Sequence, residues 1–341
     1  MTTDAKIGER LMLGLRGSEP GDPGLETDLA ACASVGVRAV LLFDRDVASG
    51  RARNVIGRDQ LRGLTAHIRS RLGADTIIAV DQEGGRVQRL GPDHGFAAHP
   101  SAAEFAGMPP RDRVAAADRL AAELADVGIN LNLSPCVDIG DGSPVIGGLG
   151  RSFGGDPDAV VECASAVIVA HRGRGIGCAL KHFPGHGSAP GDSHKTLPDI
   201  TRSFDPGRDL APYRALCARD GISVMTAHVL HRGHDRSRPA SLSRPITTGL
   251  LREGMRFGGV IMTDSLDMEG VRRQGALEDV IAAAAGAGAD LIVHACNSER
   301  AEHAPEVAAA AGAAAARLTA DAEAFARLRR WRRELARGPG G

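Results

Sequence analysis

Lysine, aromatic residues and long apolar runs are all scarce in this sequence, and its net charge is close to zero. Aromatic residues make up 3% of the 341 residues, and the formal net charge is −1 at pH 7. A near-neutral chain argues against a nucleic-acid or membrane partner, because both attract a basic protein surface. No apolar run approaches the roughly 18 residues that would span a bilayer. The segment Met1–Gly14 lacks the uninterrupted apolar core of a secretory signal, so we expect a cytoplasmic protein.

Cysteine is also used sparingly, and its spacing excludes two classes of small-domain architecture. No two of the six cysteines form a Cys-x-x-Cys pair. This argues against a zinc ribbon and against a dense disulfide framework, so we expect buried free thiols. The six residues are Cys32, Cys136, Cys163, Cys178, Cys217 and Cys296.

Lysine occurs only at Lys6, Lys181 and Lys195 in a chain whose other basic residues are arginine or histidine. Lysine provides a compact point charge, whereas arginine provides a planar fork of donors. A lysine retained against such a compositional bias is therefore a candidate functional residue, which draws attention to Lys181 and Lys195.

Short apolar runs alternate with longer amphipathic stretches along the chain. Several runs are almost continuously apolar, which is typical of strands buried on both faces of a parallel sheet. We predict strands at Leu11–Leu15, Ala39–Phe43, Thr76–Val80, Ile129–Leu133, Cys178–His182, Ile222–His228, Gly259–Thr263 and Leu291–Ala295. Helical spacing and helix-start signals predict helices at Asp112–Gly128, Asp156–Ala170 and Ala276–Gly288.

Eight strands with helical connections indicate an α/β fold, a single (β/α)8 TIM-type barrel, rather than an open sheet. The Ala-rich and Arg-rich stretch Pro305–Arg337 carries no strand signal and predicts one or two extra helices on the barrel exterior. We therefore expect one catalytic domain over residues 1–341, with the barrel at about 8–300 and the helical extension at about 301–341.

Reactive side chains follow four of the predicted strands at the end where such barrels place their active sites. Asp81 begins the segment Asp-Gln-Glu-Gly-Gly-Arg after the third strand, and Lys181-His182 ends the fifth. His228 ends the sixth strand, and Asp264 follows the seventh. Each has a structural explanation by itself, such as a helix cap or a buried histidine. Their convergence on one rim favours a functional site.

The triplet Asp192-Ser193-His194 lies in a predicted loop rich in glycine and proline. A carboxylate two residues before a histidine can orient the imidazole and stabilise its protonated form. Histidine titrates near neutral pH, so His194 is suited to act alternately as acid and base. With Asp264 as a nucleophile, the pair matches the two-group logic of a retaining glycosidase.

The same segments carry a resemblance to a known family. They resemble glycoside hydrolase family 3, and within it the NagZ-type β-N-acetylhexosaminidase branch, over about residues 11–297. The matching segments are Asp81–Arg89, Lys181–Gly187, Asp192–His194, Met225–His228 and Thr263–Leu266.

The resemblance implies a retaining exo-enzyme that removes terminal, non-reducing β-linked N-acetylglucosamine without a metal or organic cofactor. Carried over by position, Asp264 is the nucleophile, His194 the acid/base and Asp192 its partner. The residues implied to bind the sugar hydroxyls are Asp81, Arg89, Arg151, Lys181 and His182. No role falls to Lys195. For a cytoplasmic member, the resemblance suggests muropeptides of peptidoglycan recycling as substrates, and we expect a monomer with this carbohydrate as its partner.

Two segments depart from the family pattern. Gly148-Leu149-Gly150 separates Val145-Ile146-Gly147 from Arg151, which is a longer spacing than the family usually has. Asp44 follows the second strand at a position where asparagine is commoner. We expect the first departure to shift the loop and the second to alter the leaving-group side of the pocket.

Three alternatives stay open from the sequence. A zinc-dependent hydrolase would use His182, His186, Asp192 and His194 as ligands, although their spacing matches no standard zinc pattern. A phosphorylase would use the same site, because a histidine base repels an attacking phosphate less than a glutamate does. A non-catalytic sugar-binding barrel would keep Asp81 and Lys181 but would not need Asp264.

Overall fold

The computed structural model describes residues 7–140, 142–193, 196–299, 302–318 and 321–338. Eight parallel strands form a nearly closed barrel, and a short two-stranded hairpin lies outside it. The strands in chain order are Leu11–Gly14 (β1), Ala39–Leu42 (β2), Ile77–Val80 (β3), Gln82–Gly84 (β4), Val87–Gln88 (β5), Leu131–Asn132 (β6), Gly177–Phe183 (β7), Ile222–Thr226 (β8), Val260–Thr263 (β9) and Ile292–His294 (β10).

Neighbouring barrel strands follow one another in sequence, and the first strand closes the ring against the last. β1 pairs in parallel with both β2 and β10. At the remaining seam, Met262 of β9 bridges to Leu291 just before β10, and the Thr263 N–H donates to the Leu291 carbonyl at 3.1 Å. The carboxyl ends of all eight strands therefore meet at one rim.

Helices surround the barrel and connect its strands. They are Pro23–Val35 (α1), Arg58–Leu72 (α2), Ala102–Ala106 (α3), Pro110–Asp126 (α4), Pro157–Gly173 (α5), Pro206–Asp209 (α6), Ala211–Leu216 (α7), Glu269–Arg272 (α8), Leu277–Ala287 (α9), Ala304–Ala315 (α10) and Ala322–Arg337 (α11). A π-helical segment, Pro245–Gly254, connects β8 to β9. Among the described residues, none of these helices combines the length and apolarity that a bilayer span requires.

The predicted TIM-type barrel is confirmed, and all eight predicted strands are present with ends within two residues of those expected. Every residue of β1, β2, β3, β7, β8 and β9 is buried. Side chains facing the helices and side chains facing the barrel interior are both shielded from water, which explains why the strands are continuous apolar runs instead of alternating ones. The predicted helices correspond to α4, α5 and α9.

The β4–β5 hairpin was not predicted from the sequence, and it positions part of the rim. Gly84 has φ +95° and Gly85 φ +57°, and a Cβ atom on Gly84 would lie 2.1 Å from the Pro100 carbonyl oxygen. Both glycines are therefore required, because a side chain would meet steric strain and, at Gly84, the backbone of the next loop. The hairpin turns the chain back immediately after Asp81 and places Glu83 over the barrel.

Helix α11 covers the opposite pole, at the amino ends of the strands. Its residues Leu328, Trp331 and Leu335 join the interior cluster that also contains Leu131 and Val260. The predicted C-terminal helices thus exist as α10 and α11, and α11 helps to fill the barrel floor.

Candidate active site

The rim collects the predicted site residues that the structure describes. Asp81 directly follows β3, and Lys181 and His182 belong to β7. Asp264 directly follows β9, and Arg151 enters from the loop between β6 and α5. These side chains come from four different parts of the chain, and ion pairs link several of them.

Lys181 is a buried cation between two carboxylates. Its Nζ lies 2.7 Å from Asp81 Oδ1 and 2.7 Å from Glu83 Oε1, and its side chain is 3% exposed. Burial by itself would lower the pKa of Lys181, but the charges of Asp81 and Glu83 outweigh burial and raise the pKa above its usual value. Lys181 is therefore a fixed positive charge, and its compact ammonium group contacts both acids at once.

Glu83 joins Lys181 to Arg151. Arg151 Nε donates to Glu83 Oε2 at 2.9 Å, and Nη2 donates to Glu83 Oε1 at 2.7 Å, which is the two-point geometry that arginine forms with a carboxylate. Burial would raise the pKa of Glu83, yet Arg151 and Lys181 hold it well below its usual range. A carboxylate with two cations stays ionised and fixes the position of both.

The longer loop before Arg151 does not displace this side chain. The extra residues form a 3-10 turn at Gly147–Leu149, and the Arg151 N–H donates to the Ile146 carbonyl at 2.9 Å. Arg151 Nη1 also donates to the Val145 carbonyl at 3.1 Å. The loop that differs in length from the family pattern therefore helps to hold the guanidinium against Glu83.

Asp138 fixes the position of His182 through hydrogen bonds to its ring and its backbone. Its Oδ2 lies 2.7 Å from His182 Nδ1 and accepts the His182 backbone N–H at 3.2 Å, while Oδ1 accepts the His186 N–H at 2.6 Å. Burial would raise the pKa of Asp138, but the neighbouring His182 and His186 lower it to about 2. The carboxylate orients the imidazole so that His182 Nε2 lies 3.5 Å from Arg151 Nη2.

Arg89 lies at the edge of the site and is held by its backbone. The Gln82 side chain accepts the Arg89 N–H at 2.8 Å. Arg89 Nη1 lies 3.6 Å from Asp44 Oδ1, and the guanidinium carbon lies 5.7 Å from the centre of the Phe43 ring. Asp44, one of the two departures from the family pattern, therefore faces a residue that we predicted to bind substrate.

Asp264 is half-buried at the end of β9, and the backbone around it is held in place. Its N–H donates to the Thr226 carbonyl at 2.9 Å, and its Oδ1 accepts the Ser265 N–H at 2.7 Å. His228 Nε2 lies 2.8 Å from the Ser265 carbonyl oxygen, so the histidine predicted at the rim supports the turn that carries Asp264. These contacts fix the carboxylate at the mouth of the barrel.

The Asp192-Ser193-His194 triplet is described only in part, because His194 and Lys195 lie outside the described residues. Asp192 is half-buried, and its backbone carbonyl accepts the Thr196 N–H at 2.9 Å. The described flanks pack closely on Gly270 of α8, where a Cβ atom would lie 2.3 Å from the Thr196 oxygen and 3.2 Å from the Ser193 oxygen. The loop is thereby anchored on the segment that follows Asp264.

Sequence reasoning assigned no role to Glu83 or Asp138, although both fix predicted site residues. Glu83 lies in the quoted Asp81–Arg89 segment, but its partner Arg151 is 68 residues away. Asp138 lies 44 residues before His182, with no reactive neighbour in sequence. The sequence signal that could have identified Asp138 is its position as a carboxylate just beyond the fourth predicted strand.

One group of side chains has the composition of a metal site. Cys136, Asp138 and His182 place one potential ligand atom each within 4.8 Å of one another. Both oxygens of Asp138 already accept hydrogen bonds, burial raises the pKa of the Cys136 thiol well above its usual value, and the Arg151 guanidinium adjoins His182. A protonated thiol beside a cation is a poor ligand set for a divalent metal.

Charged donors and acceptors that alternate within a few ångström suit a ligand with many hydroxyl groups. Lysine and arginine each offer several donors, and the carboxylates offer acceptors in fixed directions. The Asp264 carboxylate lies at the same rim as this set of charged groups.

Comparisons with known proteins agree with this chemistry. Residues 3–328 match the model of the glycosyl hydrolase family 3 N terminal domain. A β-hexosaminidase from Aromatoleum aromaticum is 41% identical over 256 residues, which cover 72% of this chain and 70% of that protein. The chain therefore belongs to glycosyl hydrolase family 3, and the protein is a glycoside hydrolase.

Solved structures place the chain more narrowly within the family. A family 3 β-N-acetylglucosaminidase from Paenibacillus sp. superposes with a TM-score of 0.85 at 31% identity, covering 98% of this chain and 63% of that longer chain. NagZ from Neisseria gonorrhoeae, in complex with N-trifluoroacetyl-D-glucosamine, gives a TM-score of 0.76 at 30% identity and covers 94% and 89% of the two chains. The predicted resemblance to NagZ-type β-hexosaminidases is confirmed.

Proposed function

We propose that the chain is a retaining exo-β-N-acetylglucosaminidase. The observation that carries this proposal is a fixed carboxylate, Asp264, at the same rim of the barrel as the network of Lys181, Glu83 and Arg151. The similarity to β-hexosaminidases and to a β-N-acetylglucosaminidase supports the choice of N-acetylglucosamine.

In the proposed mechanism, an Asp264 oxygen attacks the anomeric carbon and the glycosidic bond breaks. His194 gives its proton to the departing oxygen, and Asp192 stabilises the imidazolium beforehand. A water molecule then gives a proton to His194 and attacks the same carbon, which breaks the bond to Asp264 and releases the sugar. Two displacements at one carbon retain the anomeric configuration.

The proposed sugar-binding residues divide into a buried and an outer group. Lys181, His182 and Arg151 are held by carboxylates, so their remaining donors and the free lone pairs of Asp81 face the ligand in fixed directions. Arg89 approaches from the outer edge, and its buried Nε has no protein partner among the described residues. A sugar hydroxyl near Arg89 would supply the missing acceptor.

We further propose muropeptides of peptidoglycan recycling as the natural substrates, a cytoplasmic location, and a monomer in which the whole chain acts as one catalytic domain. The NagZ-type similarity supports the substrate. Digestion of purified muropeptides, followed by mass spectrometry, tests it: release of N-acetylglucosamine is expected, and intact muropeptides would contradict it. Cell fractionation and sedimentation test the location and the monomer.

The activity is tested with two chromogenic substrates, an aryl β-N-acetylglucosaminide and the corresponding β-glucoside. We expect clear preference for the first, and loss of turnover with retained sugar binding in Asp264→Ala. A 2-deoxy-2-fluoro or 5-fluoro sugar is expected to label Asp264. Persistent turnover in Asp264→Ala, or a label on another residue, would contradict the proposed nucleophile.

The molecule that receives the sugar, water or phosphate, is identified by repeating the same assay in phosphate buffer. Hydrolysis predicts free N-acetylglucosamine at every phosphate concentration. Accumulation of the sugar 1-phosphate would identify a phosphorylase and would leave the proposed nucleophile and binding residues in place.

A further inference from the structure

His186 is buried beside the proposed catalytic residues and has no role in the mechanism above. It is 2% exposed and follows β7 in the turn that also contains His182. Its backbone N–H donates to Asp138 Oδ1 at 2.6 Å, and its ring Nδ1 lies 3.4 Å from Ser143 Oγ. The ring also contacts the edge of His182, with the ring centres 5.8 Å apart. His186 is therefore held from three sides.

The second ring nitrogen of His186 has no partner. Nε2 is buried and makes no hydrogen bond with any described residue. Buried polar atoms in folded proteins are almost always paired, so an exception at an active site points to a partner that arrives with the ligand. Because the backbone and Nδ1 of His186 already have partners, Nε2 is the ring nitrogen left for a ligand.

The ring presents Nε2 as a hydrogen-bond donor. Burial and the neighbouring His182 lower the pKa of His186 to about 4, so the imidazole is neutral near pH 7. His186 follows β7 and Asp264 follows β9, so both residues belong to the carboxyl-end rim of the barrel. The Ser143 hydroxyl donates to Nδ1, which leaves the hydrogen of the neutral ring on Nε2. We assign this tautomer from the hydrogen-bond network.

The position of Asp264 indicates which part of a sugar His186 would meet. A nucleophile has to lie about 3–3.5 Å from the anomeric carbon in a reactive complex. A donor on the same rim as that nucleophile is within reach of the atoms next to the anomeric carbon, which are the ring oxygen and the substituent on C2. In an N-acetylglucosaminide the C2 substituent is an acetamido group, whose carbonyl oxygen is the stronger acceptor of the two.

We propose that His186 Nε2–H donates a hydrogen bond to the acetamido carbonyl oxygen of the bound sugar, and that His186 thereby selects N-acylated sugars. The inference rests on the proposed N-acetylglucosaminidase function, because it needs a sugar with this substituent. Contacts to the C2 substituent of a glycoside strengthen in the transition state, so the effect is expected in kcat/KM.

Two variants separate the two ring nitrogens. In His186→Gln the side-chain amide reaches the position of Nε2, whereas in His186→Asn it reaches only the position of Nδ1. The substrates are aryl N-acetyl- and N-trifluoroacetyl-glucosaminides, because fluorine weakens the carbonyl oxygen as an acceptor. Both variants are assayed with the same two substrates. The difference in size between the acetyl and trifluoroacetyl groups therefore largely cancels when the two variants are compared.

We expect His186→Asn to lower kcat/KM for the N-acetyl substrate about 10- to 100-fold and to reduce the preference for acetyl over trifluoroacetyl at least about threefold. His186→Gln is expected to retain most of the preference. An unchanged preference in His186→Asn would overturn the proposal. It would show that recognition of the acetamido carbonyl oxygen does not depend on the side chain at position 186.

Ser143→Ala provides a second test if His186→Asn does not fold. It leaves His186 in place but removes the hydroxyl that fixes the tautomer. We expect the preference for the N-acetyl over the N-trifluoroacetyl substrate to fall, and an unchanged preference would count against the proposal. The wild-type enzyme separates this inference from the function on which it rests. If the wild type does not turn over either substrate, the proposed function fails, whereas a normal wild type with an unaltered preference in the variants refutes only the role of His186.

Discussion

Glu83 is a buried carboxylate that pairs with two cations at the rim. It binds Lys181 and Arg151 at once, and its side chain is 4% exposed. Removing one member of a buried ion pair leaves the other members charged and unpaired, which costs far more than the pair contributes as a whole. Glu83 is therefore a positioning residue that acts on substrate through two cations.

Glu83→Gln tests this role with a nearly isosteric side chain. We expect kcat/KM to fall at least about 100-fold and the free energy of unfolding to fall by about 3 kcal/mol, because Arg151 loses its two-point partner. Steady-state kinetics and urea unfolding measure the two effects.

Glu162→Gln is the matched control. Its carboxylate also binds an arginine, Arg113, but its side chain is 63% exposed. Exposed ion pairs contribute little, so we expect wild-type activity and stability. Equal losses in the two variants would show that the effect at Glu83 comes from the substitution itself and not from the buried network.

Sequence reasoning found the charged residues at the rim but not their supports. Lys181, Asp81 and Arg151 carry recognisable signals, because they belong to motifs or stand out from the composition. Glu83 and Asp138 act through partners 68 and 44 residues away. Spacing along the chain contains no information on such pairs until the barrel brings β3, β6 and β7 together.

Strand prediction succeeded because both faces of the barrel strands are buried. β4 and β5 were missed, since Gln82–Gln88 contains no apolar run and its two glycines indicate only a turn. The hairpin is held by Gln82, whose side chain accepts the Arg89 and Leu90 N–H groups at 2.8 and 3.0 Å. Polar side chains with specific partners thus form an element that hydrophobic patterning does not reveal.

The loop that carries the proposed acid/base packs closely on Gly270 in α8. Gly270→Val would place side-chain atoms against the Thr196 and Ser193 backbone oxygens and displace the loop. We expect kcat to fall at least about 10-fold, since misplacing a catalytic group by about 1 Å can cost 100-fold in rate. We expect only a small change in the thermal midpoint of unfolding, in contrast to the large fall in kcat.

Gly286→Ala is the control for Gly270→Val. A Cβ atom at Gly286 in α9 would meet no atom within 4 Å. We expect unchanged kcat and a gain of about 0.5–1 kcal/mol, because alanine is the better helix former. If Gly270→Val kept full activity, the loop would not need this close contact.

A buried histidine couples α5 to β6 and makes folding sensitive to acid. His171 Nε2 lies 3.0 Å from Asn132 Nδ2, and Nδ1 lies 2.8 Å from the Val167 carbonyl oxygen. Burial lowers the pKa of His171 from 6.5 to about 4. The unfolded chain therefore takes up a proton at a higher pH than the folded chain does, and stability falls as the pH falls from 6.5 to 4.

We expect His171 to account for a loss of about 3 kcal/mol in the free energy of unfolding between pH 6.5 and 4. His171→Gln is expected to show a smaller loss over this range in urea unfolding at several pH values. His234→Gln, at an exposed position, is expected to keep the wild-type dependence. A wild-type slope in His171→Gln would contradict the assignment.

At the scale of the whole molecule, the two poles of the barrel have different contents. The carboxyl ends of the strands carry the ionic site, whereas α11 packs on the amino ends. Trp331 is 4% exposed there, and Arg329 binds Glu9 ahead of β1. Substitutions in the buried ionic site are therefore expected to lower activity and stability together, whereas those under α11 are expected to lower stability alone.

Trp331→Ala tests the stabilising pole. Removing a large buried side chain typically costs about 3–5 kcal/mol, and we expect that loss in urea unfolding together with an unchanged kcat for the folded enzyme. Arg333→Ala, on the exposed face of α11, is expected to leave both unchanged. A large fall in kcat for Trp331→Ala below its unfolding transition would show that the poles are coupled.

The placement of α11 has a practical consequence for immobilising the enzyme. An attachment after Arg337 would tether the molecule at the end of the barrel opposite the rim that carries Asp264. On a sensor chip or a resin, each copy would then turn its catalytic opening toward the solvent, so that even bulky saccharides grafted on particles would reach it without obstruction from the support.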